Sequence, residues 1–288
     1  MTTSRWTAED RVALADAVVL LHSENFMMRI ASAMGAPLDS LVDSMPAVVS
    51  KGITAAAHKA LAAAVAVAAQ TTRSGERRAS WDRLHLIGTA VTGAVGGFFG
   101  AAGALAEVPI TTTVMFRSIL DIARSEGADI SDPAIRSECL NVFAFGGPLA
   151  DDDTADTAYL QTRAILADAT KQAAAYLAKG VGKKQLVSLA GHLSKYLSVI
   201  AGRYGVVVGQ KIAAQAVPLV GAAAGALINI AFTDYFQDIA RGHFIWLRLE
   251  KKYGAERVAA AAAKLGTGPA KTQLKTAKAA AAKRLPKS

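Results

Sequence analysis

Polar residues set inside otherwise apolar stretches are where this chain could do chemistry, and their spacing limits what that chemistry can be. Arg117, Asp121 and Arg124 stand at i, i+4 and i+7, one stripe on a helix. Asp234, Asp238 and Arg241 repeat that spacing. Glu107 follows a charge-free run of 21 residues, and Asn229 lies inside a second run of 22. A carboxylate or imidazole in a polar pocket can act as a general acid or base, so Glu107, Asp238 and His243 are the candidates for hydrolytic catalysis. The structural reading of the same residues is the preferred one. A buried charge costs several kcal/mol unless it is paired. Glu107, Arg117, Asp121, Arg124, Lys211, Asn229, Asp234, Asp238 and Arg241 are therefore expected to pair with one another and fix how two halves of the molecule dock.

Other chemistries find little support. The histidines are His22, His58, His85, His192 and His243, with no His-x-x-x-His pair and none beside a cysteine, so no metal site is expected. Asp151–Asp153 precede a predicted helix and suit its positive end better than a cation. Gly97-x-x-Gly100-x-x-Gly103 is neither a dinucleotide fingerprint nor a P-loop. Gly180-Val-Gly182-Lys183-Lys184 lacks the upstream glycine and the following Ser/Thr, and no Gly-x-Ser-x-Gly elbow exists. No cofactor is implied. The lone Cys139 excludes an internal disulfide, suits a reducing compartment and sits in an apolar helical pattern.

The elements that must position these residues read as helices throughout. Apolar residues make up 52% and aromatics only 6%, with alanine supplying much of the difference, which favours helices that approach closely. Predicted helices cover about 8–34, 46–70, 109–125, 133–146, 154–179, 183–203, 205–216 and 234–253. A polar basic loop is expected at 71–80. No segment keeps the strand period.

Two apolar runs dominate. Leu86–Ala106 holds six glycines, including Gly93-x-x-x-Gly97 and Gly96-x-x-x-Gly100; Ile212–Thr233 holds Gly221-x-x-x-Gly225. Each is long enough to span a bilayer. Glycines cost a lone helix about 1 kcal/mol each relative to alanine, so they must gain from close packing. Glu107 and Pro109 at the end of the first run, and Pro218 within the second, argue for burial in protein. The fold expected is all-α: a helical bundle with two glycine-rich apolar hairpin segments in its core.

The charge is +9, yet the eight basic residues from Arg257 onward, with no acid among them, carry all but one of it. The division expected is a helical domain over 1–255 and a disordered basic Lys/Ala-rich tail over 256–288. Lys271, Lys275, Lys278, Lys283 and Arg284 are the tail residues expected to meet anionic lipid or, less favourably, nucleic acid. The N-terminal residues lack the basic start and apolar stretch of a signal peptide, so cytoplasmic residence is the default.

Asp121-Ile-Ala-Arg124 recurs as Asp238-Ile-Ala-Arg241, each downstream of a Val-Pro pair. The first block comprises the glycine run, Glu107-Val-Pro109, Arg117-Ser-Ile, Asp121-Ile-Ala-Arg124 and Gly127. The second comprises Lys211, Pro218, Gly221, Gly225, Asn229, Phe232-Thr-Asp234, Ala240-Arg241-Gly-His243-Phe244, Leu249-Glu250 and Tyr253-Gly254. In order and type these resemble the EcsC family of bacterial helical proteins, named for a gene next to an ABC transporter, over about residues 20–255. The resemblance implies association with membranes or transport systems and no established chemistry, although some members carry a hydrolase label. The function expected is therefore that of a peripheral protein on the inner face of the cell membrane, binding anionic lipid or a membrane transport complex. The alternatives are a hydrolase with a polar pocket between the halves, and an integral protein spanning the bilayer with both runs.

Overall fold

The computed structural model describes residues 5–21, 26, 28–30, 49–70, 100–147, 155–178, 193–216 and 222–265. Of these, 92% are helical, with no strand among them, so the fold is all-α. The helices are α1 (Ala8–Leu21), α2 (Val49–Gln70), α3 (Gly100–Ser125), α4 (Pro133–Phe145), α5 (Ala155–Ala178), α6 (Ser194–Ala216), α7 (Ala222–Tyr253) and α8 (Ala255–Leu265). Phe26 and residues 28–30 are also helical.

Local chemistry sets several boundaries. Thr7 caps α1: its hydroxyl accepts from the Asp10 amide at 3.1 Å and donates to Asp10 Oδ2 at 2.9 Å. Asp132 caps α4 through the Ala134 amide at 2.8 Å, with Pro133 in the first turn. Gly127, at φ 85°, closes α3; the amides of Gly127 and Ala128 reach back to the Arg124 and Ala123 carbonyls. Gly254, at φ 88°, separates α7 from α8.

Side-chain contacts give the helix directions. Glu107 meets Lys211 and Thr112 meets Tyr204, so α3 and α6 run antiparallel. Glu107 meets Asn229 and Ser118 meets Gln237, so α3 and α7 run parallel. On α6, Gly209 faces Ile53, and Gly205 faces Ile53 and Ala57, which sets α2 antiparallel to α6 as well. The core of this group is aromatic despite the low aromatic content: Phe143, Tyr204, Phe232 and Phe236 pack at centroid separations from 5.0 Å. A second apolar cluster joins α1, α7 and α8 around Trp246, Leu249, Val258 and Ala262.

Several sequence expectations are corrected. Pro109 does not open a helix: it lies inside α3, which starts at Gly100 and includes the last residues of the first run. Burial of Val108, Thr111 and Thr112 on either side holds that helix in place despite the missing proline amide. Glu107 is thus a mid-helix residue, not a turn residue. The predicted pair 183–203 and 205–216 is, over the described residues, one helix, α6, because Gly202, Gly205 and Gly209 are accommodated within it. α7 begins at Ala222, twelve residues before Asp234, because its first turns bury Ile228 and Asn229. The helical body also continues past 255 through α8, which buries Val258 and Ala262. The described parts of the second run lie on α6 and α7, which run antiparallel. Of the first run only 100–106 is described. The loop at 71–80, Asp151–Asp153, Pro218, Gly221 and the tail residues Lys271, Lys275, Lys278, Lys283 and Arg284 lie outside the described residues.

Gly242 marks where α7 touches α1. A methyl group there would come within 2.9 Å of Leu21 Cγ and 3.1 Å of the Ala17 carbonyl oxygen, whereas one at Gly202 would meet nothing within 4 Å. Gly242→Ala should therefore lose about 1–3 kcal/mol of stability through overpacking, and Gly202→Ala should gain about 0.5–1 kcal/mol from helix propensity. Chemical denaturation checks both signs; equal effects would refute the close approach.

Candidate functional site

The deepest polar group lies where α3, α6 and α7 meet. Glu107 Oε1 accepts from Thr111 Oγ1 at 2.6 Å, Lys211 Nζ at 2.9 Å and Asn229 Nδ2 at 2.6 Å. Lys211 and Asn229 have no solvent exposure, and Glu107 is 6% exposed. Thr111 was not foreseen, though its i+4 spacing from Glu107 is the helix-neighbour signal that could have found it. Burial lowers the Lys211 pKa, against the opposing pull of the Glu107 carboxylate. The ammonium also lies 5.0 Å from the Phe232 ring centre. Glu107 Oε2 accepts no hydrogen bond, and Gln215, one turn beyond Lys211, has both amide atoms buried without one. Oε1 thus carries three donors in a group buried between three helices.

The second stripe is held from outside its own helix. Arg29 Nη1 and Nη2 reach Asp234 Oδ2 and Asp238 Oδ2, both at 2.8 Å. The guanidinium also lies 5.4 Å from the centre of the Tyr235 ring, and Phe26 packs on Phe232 and Tyr235. Arg29 stands in no motif and carried no mark of this role in the sequence. The first stripe is different: Arg124 pairs with Asp121 on its own helix at 2.6 Å, and Arg117 is exposed. The expected set therefore divides into a buried lock, a clamp by Arg29 and a local pair, with Arg241 half-buried near Asp234 and Arg117 exposed.

His243 belongs to a third group. It is fully buried; Nδ1 lies 2.8 Å from the Tyr159 hydroxyl and Nε2 lies 3.2 Å from Glu138 Oε2. Burial lowers its pKa, so the imidazole is neutral at pH 7. Burial alone would raise the Glu138 carboxyl, but neighbouring His243, Asn141 and Arg163 outweigh it and leave it below its ordinary value. Arg163 forks onto both oxygens of Glu250 at 2.8 and 2.9 Å, and Trp246 Nε1 donates to Glu250 Oε1. Glu138, Tyr159 and Arg163 were not among the expected site residues; only the fold brings α4 and α5 onto α7. Cys139 is buried and its thiol is pushed up by burial, which suits a core residue. No group of three or more metal-ligating side chains occurs among the described residues.

The EcsC protein family model matches residues 20–248, most of the chain and all of these groups except Glu250. The chain belongs to the EcsC protein family. No curated protein and no solved structure matches it. Within this EcsC chain, Glu107, Lys211, Asn229, Asp234, Asp238 and His243 all fall inside the matched span, whereas α8 and the basic tail fall beyond it.

Removing one partner of the buried lock strands the other. Lys211→Met should cost about 3–5 kcal/mol, and Glu107→Gln with Lys211→Met should cost less than the two singles added. Additive losses in denaturant unfolding would show that the pair is not coupled. Asp234 supplies a pH test: burial and the adjacent Asp238 raise its pKa to about 6, against the pull of Arg29 and Arg241. The native state then binds more protons than the unfolded chain between about pH 4 and pH 6, so stability falls as pH rises through that window. Asp234→Asn should flatten that fall; an unchanged slope would refute it.

Proposed function

We propose that this EcsC protein is a membrane-surface interaction protein that docks on anionic lipid through the α1/α8 face and the basic tail. The observation that carries this reading is the chemistry of that face. A cleft of about 670 Å³ runs between α1 and α8, with Trp6, Val12 and Leu265 as apolar lining and Arg11, Arg257 and Lys264 as basic lining. Val12 is 62% exposed. α8 buries Val258 and Ala262 against the body and leaves Arg257 and Lys264 on its exposed side. The chain then continues into the Lys/Ala-rich tail, which has no acid. Each basic residue near an anionic bilayer contributes about 1 kcal/mol, and a mixed apolar and basic surface lies at the headgroup boundary. Nucleic acid would use the charges but not the exposed Val12, so lipid is the better partner.

A second reading rests on α2. Gly52–Ala69 is the one helical stretch among the described residues long and apolar enough to cross a bilayer, with mean hydropathy 1.5 over 18 residues. Its window is 39% buried, against α3 and α6. Integral insertion would have to strip that face from the core, so the peripheral reading is favoured. Hydrolysis gains no specific support. Glu107 is engaged by three donors, Asp238 by Arg29, and His243 has no solvent exposure.

Flotation with phosphatidylglycerol vesicles tests the proposal. Binding should fall steeply as salt rises, should weaken when residues 266–288 are deleted, and should weaken further with Val12→Glu. Binding indifferent to salt and to both changes overturns it, and resistance to carbonate extraction would favour the α2 span.

A further inference from the structure

The cleft between α1 and α8 has the dimensions and lining of a small-molecule site. Its volume of about 670 Å³ falls in the range of roughly 300–1,000 Å³ usual for ligand pockets. On α8, Arg257, Ala261 and Lys264 stand at i, i+4 and i+7 and line it as one stripe; Arg11, Val12 and Ala15 line it from α1. Three cations share the cleft, and no acid is among the described residues that line it. Asp10, next to Arg11, is buried and taken by Lys252 at 2.6 Å and the Tyr253 hydroxyl at 2.7 Å. Part of the lining is fixed before any ligand arrives. Trp6 stacks on Tyr253 with ring centres 4.1 Å apart, and the Arg257 guanidinium lies 5.9 Å from the centre of the same Tyr253 ring. Such preorganisation lowers the ordering cost of binding.

The chain's own tail is a poor occupant. Residues 266–288 carry six basic side chains and no acid, so they would bring like charge to Arg11, Arg257 and Lys264. All the lining residues also lie outside the span 20–248 that the family model matches, so the cleft is an addition to the shared body. We infer that it binds one molecule of a single-chain anionic amphiphile, taken up as a monomer, with the head on Arg11, Arg257 and Lys264 and the alkyl chain on Trp6, Val12 and Leu265. This inference rests on the reading of the same face as lipid-directed, and names the ligand.

Isothermal titration of the full-length protein with dodecanoate and dodecyl phosphate, each below its micelle concentration, tests it. Dodecyltrimethylammonium and inorganic phosphate are the controls for head charge and chain. Saturable one-to-one binding of the dodecyl anions is expected, with neither control bound. Arg11→Gln with Lys264→Gln, both exposed side chains, should weaken it roughly tenfold or more with helicity unchanged, the loss expected when charge-assisted contacts are removed. Tryptophan emission should move to shorter wavelength on binding, a change lost in Trp6→Phe. Deleting residues 266–288 should leave monomer binding intact. Monomer binding without vesicle flotation upholds the cleft and overturns surface docking; flotation without monomer binding overturns the cleft alone. Equal uptake of the cationic amphiphile, indifference to the double variant, or uptake only of an acidic amphipathic peptide also overturns the cleft.

Discussion

A lysine with no solvent exposure, tied to a carboxylate that is itself 6% exposed, is the constraint on which the rest of this bundle depends. Neither charge can be taken from water alone, so Lys211 on α6 and Glu107 on α3 must arrive together. Asn229 on α7 donates to the same oxygen, which brings three helices to one point. Rotating any of them by one residue would turn its polar group through about 100° and leave a charge or an amide unpaired in the core. The lock therefore acts on register and direction more than on net stability. The Thr112–Tyr204 and Gln237–Ser118 hydrogen bonds, farther along the same helices, are consistent only with that register.

The recurring tetrapeptide gains its sense from the same geometry. α3 and α7 run parallel, and Gln237 reaches Ser118, so Asp121–Arg124 and Asp238–Arg241 stand at similar heights on neighbouring helices. Their partners nevertheless differ. Asp121 pairs with Arg124 beside it, whereas Asp238 shares Arg29 with Asp234. Arg29 and Phe26 together fasten the region after α1 to the middle of α7, by charge and by ring packing. Similar spacing produced a similar position and a different bond.

Small residues set how near the helices come. Ile53 reaches α6 because Gly205 and Gly209 present no side chain, and Leu105 sits 3.3 Å from the place a methyl group on Gly52 would occupy. Close approach by glycine and alanine contributes little burial area of its own. The large rings supply it instead, gathered on α4, α6 and α7 around Phe143, Tyr204, Phe232 and Phe236. The same preference for alanine, at Ala15, Ala260 and Ala261, leaves the cleft between α1 and α8.

The sequence by itself determined that the chain is helical and that Glu107, Lys211 and Asn229 form part of an ordered family pattern. These are local or pattern properties: alanine content and residue order. Helix boundaries near Pro109, Gly202 and Asp234 were not legible, because burial of neighbouring side chains overrode the local preference of proline and glycine. The carboxylates of the second stripe were visible, but Arg29 was not, since it lies more than 200 residues from both. His243 could be read only as a lone histidine until α4 and α5 placed Glu138 and Tyr159 against it. Only the tertiary structure decided which charges meet, because pairing depends on helix direction and register, and spacing along one helix contains neither.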